Sequence, residues 1–98
     1  PMIEWYISGI GRDWQSKNDY TSAINIFRIN TKIQPNSILY QNILAETYFQ
    51  NKQYELSKQT FQLSYNLDTN NRNAKLKINN FDWFIEFQQS IQSMNQYW

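Results

Sequence analysis

A chain of 98 residues with a net charge of +1 can bury one small core and no large one, and its interspersed charges argue against electrostatic capture of nucleic acid or anionic lipid. It has neither cysteine nor histidine, which removes disulfides, thiolate metal sites, the commonest general base and the usual switch near neutral pH. No run approaches the ~18 apolar residues a membrane span needs, and no secretory leader is visible.

The opening Pro1-Met2 suggests excision from a longer chain, so the compartment stays open. Asn and Gln are frequent, but the apolar residues keep a helical period throughout, unlike a low-complexity tract.

In chain order, Glu4 to Lys17 carries Tyr6, Ile7, Ile10, Gly11 and Trp14 at spacings of three and four, the mark of one helical face. Gly9 and Gly11 each weaken this helix by about 1 kcal/mol relative to Ala, and close approach of a neighbouring helix would explain Gly11. Asp19 is placed to cap a second helix over about 20–34, with Tyr20, Ala23, Ile24, Phe27, Ile29 and Ile33 inward. Pro35 ends it, and Ser37 can cap a third helix over about 38–51, with Tyr40, Ile43, Leu44, Ala45 and Tyr48 inward. A fourth, about 54–68, presents Tyr54, Ser57, Phe61, Ser64 and Leu67. A fifth starts near Arg72 and runs to about Ser93, with Ala74, Ile78, Phe81 and Ile85 in one stripe and Leu76, Trp83, Phe84, Phe87 and Ile91 around the rest. No strand pattern competes. The short loops require antiparallel neighbours, so the fold class is all-α.

Residues 4–37 and 38–71 align without gaps: Tyr6 with Tyr40, Ile10 with Leu44, Gly11 with Ala45, Trp14 with Tyr48, Tyr20 with Tyr54, Ala23 with Ser57, Phe27 with Phe61, Ile33 with Leu67 and Asn36 with Asn70, a shift of 34. The matches fall where helices must pack. A period of this length with Leu44-Ala45, Tyr48, Tyr54, Ser57, Phe61 and Asn70 in one copy, and Ile10-Gly11, Trp14, Tyr20, Ala23, Phe27 and Pro35-Asn36 in the other, resembles the tetratricopeptide repeat. Asn30 at a usually small position and Thr69 in place of a closing Pro depart from it. The resemblance implies one domain over 1–98, with repeat 1 at about 4–37, repeat 2 at about 38–71 and a capping helix at about 72–93. It implies antiparallel helix-turn-helix pairs wound into a right-handed superhelical solenoid. A weaker resemblance, through Phe27-Arg28, Asn30, Pro35-Asn36-Ser37, Leu44-Ala45-Glu46 and Asn73-Ala74, is to the repeat-bearing tails after the catalytic domain of some bacterial penicillin-binding-protein-like serine hydrolases. Their Ser-x-x-Lys does not occur here.

No residue set reads as catalytic. Asp82 and Glu86 share a helix face but belong to a solvated surface. Ser16-Lys17 and Ser57-Lys58 point in different directions, and Gly9-Ile10-Gly11 lacks the rest of a phosphate-loop fingerprint. The expectation is a non-enzyme without cofactor or metal that binds a protein or peptide, with no nucleic acid and no membrane insertion. The tetratricopeptide resemblance implies a groove lined by the first helix of each pair: Trp5, Ser8, Arg12 and Gln15, then Leu39, Asn42, Glu46 and Phe49, then Leu76, Asn80 and Trp83. The strongest candidates for partner contact are Trp5, Arg12, Asn42, Glu46, Phe49, Asn80 and Trp83. Some relatives grip a peptide carboxylate with Lys, Arg and Asn; Ser8, Arg12 and Asn42 stand at comparable places and only Asn42 matches, so no carboxylate clamp is expected. The aromatic end, Phe81, Trp83, Phe84, Phe87, Tyr97 and Trp98, cannot all face one seam. It offers a homodimer contact or intramolecular packing, and with it the alternative of an accessory or dimerisation tail of a larger enzyme.

Overall fold

A computed structural model describes the backbone of residues 2–70 and 72–95, and the side chains of that span except at 2, 72–74, 82–84, 90 and 93–95. The described residues form five helices: α1 (Met2–Ser16), α2 (Tyr20–Ile33), α3 (Ile38–Gln50), α4 (Tyr54–Leu67) and α5 (Arg72–Asn95). Each packs on the next in sequence. The radius of gyration is 14.9 Å, against roughly 13 Å for a compact chain of this length. The helices are therefore laid side by side as a helical-repeat solenoid rather than wrapped around a common centre.

Local sequence sets the helix ends. Asp19 accepts a hydrogen bond from the Ser22 amide at 3.0 Å, and Ser37 Oγ accepts one from the Tyr40 amide at 3.3 Å, each relieving an orphan donor of the helix start. The hairpins within each pair turn through the same device. Asn18 and Lys52 hold φ of 59° and 63°. Their amides bond back to Gln15 and Phe49, and the following amides, of Asp19 and Gln53, reach Trp14 and Tyr48. This is the Schellman arrangement, with a left-handed residue just past the helix.

Ala23, Ile24, Phe27, Leu44 and Tyr48 form one buried cluster, and Ala45, Phe61 and Phe81 a second, with Tyr54, Tyr65, Ile78 and Ile85 against it. Gly11 has the expected reason: a Cβ there would come within 2.3–2.7 Å of three ring atoms of Phe27.

The inward faces differ from the sequence reading in three places. On α1 the buried residues are Glu4, Ser8 and Gly11, while Tyr6, Ile10 and Trp14 are exposed. The side of α1 that meets α2 is the 4-8-11 stripe, and Tyr6 and Ile10 look onto an open cleft between α1 and α3. On α2, Asn30 is buried and Ile29 and Ile33 are exposed. Ile29 sits two residues past Phe27, roughly 200° around the helix, whereas Asn30 at three lies beneath it. Leu67, six residues past Phe61, is exposed for the same reason. On the last helix, Ile78, Phe81 and Ile85 turn inward as expected. The expectations for Ala74, Trp83, Phe84, Tyr97 and Trp98 lie outside the described residues.

Candidate interaction groove

α1, α3 and α5 occupy the first place of successive helix pairs, so residues related by the repeat shift stand in rows across them. Arg12, Glu46 and Asn80 form one such row, and all three are exposed. Trp5 and Leu39 form a second, exposed at 77% and 62%. Gln15 and Phe49 belong to a third. Exposure shared by equivalent residues identifies a face that the packing leaves open in every pair.

Two clefts lie along this face, on either side of α3. One, of about 560 Å³, is bounded by Glu46, Phe49 and Gln50 of α3 and by Lys77, Asn80 and Phe81 of α5, with Phe61 of α4 beneath. Its walls are built from aromatic packing. Phe49 meets Tyr54 and Phe81 edge-on at 5.2 and 5.8 Å, and Phe61 lies 5.9 Å from Phe81. The Lys77 ammonium sits 5.5 Å over the Phe61 ring, a cation–π placement that holds a positive charge above an apolar floor. Opposite charges, Glu46 and Lys77, thus border a hydrophobic slot. Such a slot can take an apolar or aromatic side chain while the rim fixes polar neighbours.

The second cleft, of about 680 Å³, runs between α1 and α3 past Trp5, Tyr6, Ile10 and Arg12 of α1 and Leu39, Tyr40 and Ile43 of α3. It crosses α1 at Gly9, where an added Cβ would meet nothing within 4 Å. Leu39, Ile43, Glu46 and Gln50 are spaced four, three and four, so a single stripe of α3 serves both clefts. At the edge, Gln15 Nε2 donates to Thr47 Oγ1 at 3.1 Å and to Gln50 Oε1 at 3.0 Å, tying α1 to α3.

The structure therefore brings Glu46, Phe49 and Asn80 to one cleft and Trp5 and Arg12 to the other. Ser8 lies at the bottom of the second cleft and Asn42 lines neither, and both are already engaged. Ser8 is buried and accepts a bond from Asn30 Nδ2 at 2.8 Å; Asn42 is half-buried, and its Oδ1 accepts from Ser64 Oγ at 2.6 Å. Both face the second helix of their own pair, because they share the stripe of Gly11 and Ala45. Trp83 lies outside the described residues. Lys77 and Gln50 join the cleft without being among the residues expected from sequence, although the repeat shift relates Lys77 to Ile43 and could have placed it on the same face.

Among the described residues, no group of three or more acidic side chains is arranged to hold a metal ion, and no helix is long and apolar enough to cross a membrane.

No protein-family model and no curated protein sequence matches the chain. Among solved structures, the second tetratricopeptide-repeat domain of Spaghetti (RPAP3), bound to the HSP90 peptide SRMEEVD, is similar with a TM-score of 0.73 and 14% identity, over 92% of this chain and 83% of that one. At that identity the likeness is one of fold. The helix pairs described above share the helical-repeat fold of that tetratricopeptide-repeat domain.

Proposed function

We propose that this chain is a non-catalytic interaction module that holds an extended peptide segment of a protein partner across the open faces of α1, α3 and α5. The observation that carries the reading is the exposed row Arg12, Glu46 and Asn80, of which Glu46 and Asn80 border the Phe49–Phe61–Phe81 cleft and Arg12 the cleft between α1 and α3. Packing explains the buried aromatics of each repeat but gives no reason for an open apolar slot with charged borders. The solved neighbour of the same fold holds a peptide, which supports this use of the face.

The peptide is read by its side chains rather than by a terminal carboxylate. Ser8 and Asn42 are engaged with Asn30 and Ser64, which leaves Arg12 alone of the three positions a carboxylate clamp would use. In the α3–α5 cleft the preferred residue is aromatic or long and aliphatic, with a basic neighbour beside Glu46.

The test is selection of binders from a random peptide library on the immobilised chain, followed by titration against Glu46→Arg and Asn80→Ala variants. Both residues are exposed, so melting temperature should hold while affinity falls about tenfold or more for Glu46→Arg, the scale of ~1.4 kcal/mol. Binders indifferent to both substitutions, or binders that need a free peptide carboxylate, would refute the reading.

A second reading draws on α5. Leu76, Phe87 and Ile91 are exposed, so an accessory role, in which this helix packs on a larger enzyme or on a second copy, has an apolar surface to use. A concentration-dependent mass by light scattering, lost in Phe87→Ser, is its expected result.

A further inference from the structure

The two clefts share a wall, the stripe Leu39, Ile43, Glu46 and Gln50 of α3. Its first half borders the α1–α3 cleft and its second half the α3–α5 cleft. The clefts are therefore staggered along α3 as well as separated across it. With both walls of each taken together, their centres lie roughly five residues apart along the helix direction, or ~8 Å. Across it they lie about one helix spacing apart, ~10 Å. The diagonal of ~13 Å is the reach of about four residues of extended chain at ~3.3 Å each. In such a chain residues i, i+2 and i+4 lie on one side. Side chains at i and i+4 can thus enter the two clefts together while i+2 faces the ridge of α3 between them. Gly9 is the second observation. An added Cβ there would meet nothing within 4 Å, so no neighbouring helix calls for this glycine, although it weakens α1 by about 1 kcal/mol relative to Ala. It lines the α1–α3 cleft, and its missing side chain keeps that cleft open.

On the premise that the open face holds a peptide, as proposed above, we infer that the two clefts form one bipartite site. It takes an extended segment with large apolar side chains at i and i+4 and a basic residue at i+2. One anchor enters the slot over Phe61 and Phe81, and the other lies between Trp5 and Leu39, above Gly9. The charges single out i+2. Arg12 and Asp13 stand side by side at the α1 wall and offset each other. Lys77 is held over the Phe61 ring. Glu46 stands on the shared stripe, exposed, and forms no ion pair with another described residue. A basic side chain crossing the ridge meets it without displacing an internal partner. Gln50 is arranged for the peptide backbone. Its Oε1 accepts from Gln15 Nε2, which leaves its own Nε2 to donate to a peptide carbonyl.

The test is fluorescence anisotropy with labelled peptides blocked at both ends. The probe GSFSKSFSG carries its anchors at i and i+4 and reads alike in either direction. Its controls are GSFSKFSG and GSFSKSSFSG, with the anchors at i+3 and i+5, GSFSKSSSG with one anchor, and GSFSESFSG with the charge reversed. The probe should bind about tenfold or more tighter than each control, the scale of one buried aromatic side chain. Gly9→Phe places a ring in the α1–α3 cleft. It should lower the probe to the affinity of the single-anchor peptide and leave that peptide unchanged. Glu46→Lys should transfer the preference from GSFSKSFSG to GSFSESFSG. Circular dichroism melts should show both variants folded. Equal affinity at all three spacings, or binding indifferent to Gly9→Phe, would overturn the bipartite site while leaving the groove reading in place. So would failure of the whole series when the peptide library still yields binders sensitive to Glu46→Arg. Failure of the series and of the library together would overturn both.

Discussion

The two helix pairs solve one packing problem with the residue types exchanged. In the first, Ser8 on α1 meets Asn30 on α2; in the second, Asn42 on α3 meets Ser64 on α4. The repeat shift carries Ser8 to Asn42 and Asn30 to Ser64, so the hydroxyl and the amide have changed helices while the bond between helices has stayed. Asn30 and Ser64 are both fully buried, where an unmade hydrogen bond costs about 1–3 kcal/mol. The position therefore demands a bonded pair of a given total size, and does not demand which helix brings the larger member. The phenylalanine one turn earlier shows the opposite behaviour. It is the same residue in both pairs, and the opposing residue adapts: Gly11 leaves room for the Phe27 ring, while Ala45 is accommodated beside Phe61 and its carbonyl accepts a bond from Ser57 Oγ at 2.7 Å.

The largest way to break this comparison is to give the first pair the second pair's residue. Gly11→Ala puts a methyl 2.3 Å from the edge of the Phe27 ring, so that one of the two must shift. Overpacking should cost about 1–3 kcal/mol, outweighing a helix-propensity gain of about 1 kcal/mol. Gly9→Ala on the same helix meets open space and should stabilise by about 0.5–1 kcal/mol. Urea melts of the two variants should move in opposite directions. Equal midpoints would mean that Phe27 yields easily and that the two pairs do not differ in closeness.

How much of this is legible in the sequence depends on whether a residue's type or its direction is needed. The helices, the Asp19 and Ser37 caps and the role of Gly11 follow from types and spacings, and the sequence contains both. An apolar type points Ile29 inward, yet the buried neighbour is Asn30, whose amide finds the Glu4 carbonyl and Ser8 Oγ at 2.8 Å each. Polarity misleads where a buried bond satisfies it. Tyr6, Ile10 and Trp14 share one helical face by their spacing, but spacing does not say whether a helix packs on that face, and all three are exposed. Of the groove residues, Arg12, Glu46 and Asn80 are legible because their row repeats, whereas Ser8 and Asn42 need an orientation that pattern alone does not supply.

A smaller effect sharpens the exchange itself. Asn30→Ser alone leaves two short hydroxyls facing each other and the Glu4 carbonyl without its amide donor. Ser8→Asn alone crowds two amides into one site. The double variant, Ser8→Asn with Asn30→Ser, copies the second pair, and it also removes the Asn30 Oδ1 that is buried without a partner among the described residues. It should be more stable than the sum of the single effects predicts by about 1–2 kcal/mol. Additive behaviour in a thermal-denaturation cycle would show that the two sites are not interchangeable after all.

The smallest effect lies at the turns, where the first pair is better made. Asn18 tolerates its φ of 59°, whereas Lys52 holds 63° with a side chain that gains nothing there. Asp19 caps α2 through its carboxylate, while Gln53, its equivalent, makes no capping bond to α4. Lys52→Gly and Gln53→Asp should therefore each stabilise by about 0.5–1 kcal/mol in urea melts, and neither touches the core or the groove. The reverse changes, Asn18→Lys and Asp19→Gln, should cost similar amounts. The adjacent substitutions share one turn, so their joint effect tests whether the αL residue and the cap act independently. If relieving φ at Lys52 also lets the carboxylate introduced by Gln53→Asp reach the amide of Leu56, the pair will gain more than its parts, and the second hairpin will have acquired the geometry that Asn18 and Asp19 already hold in the first.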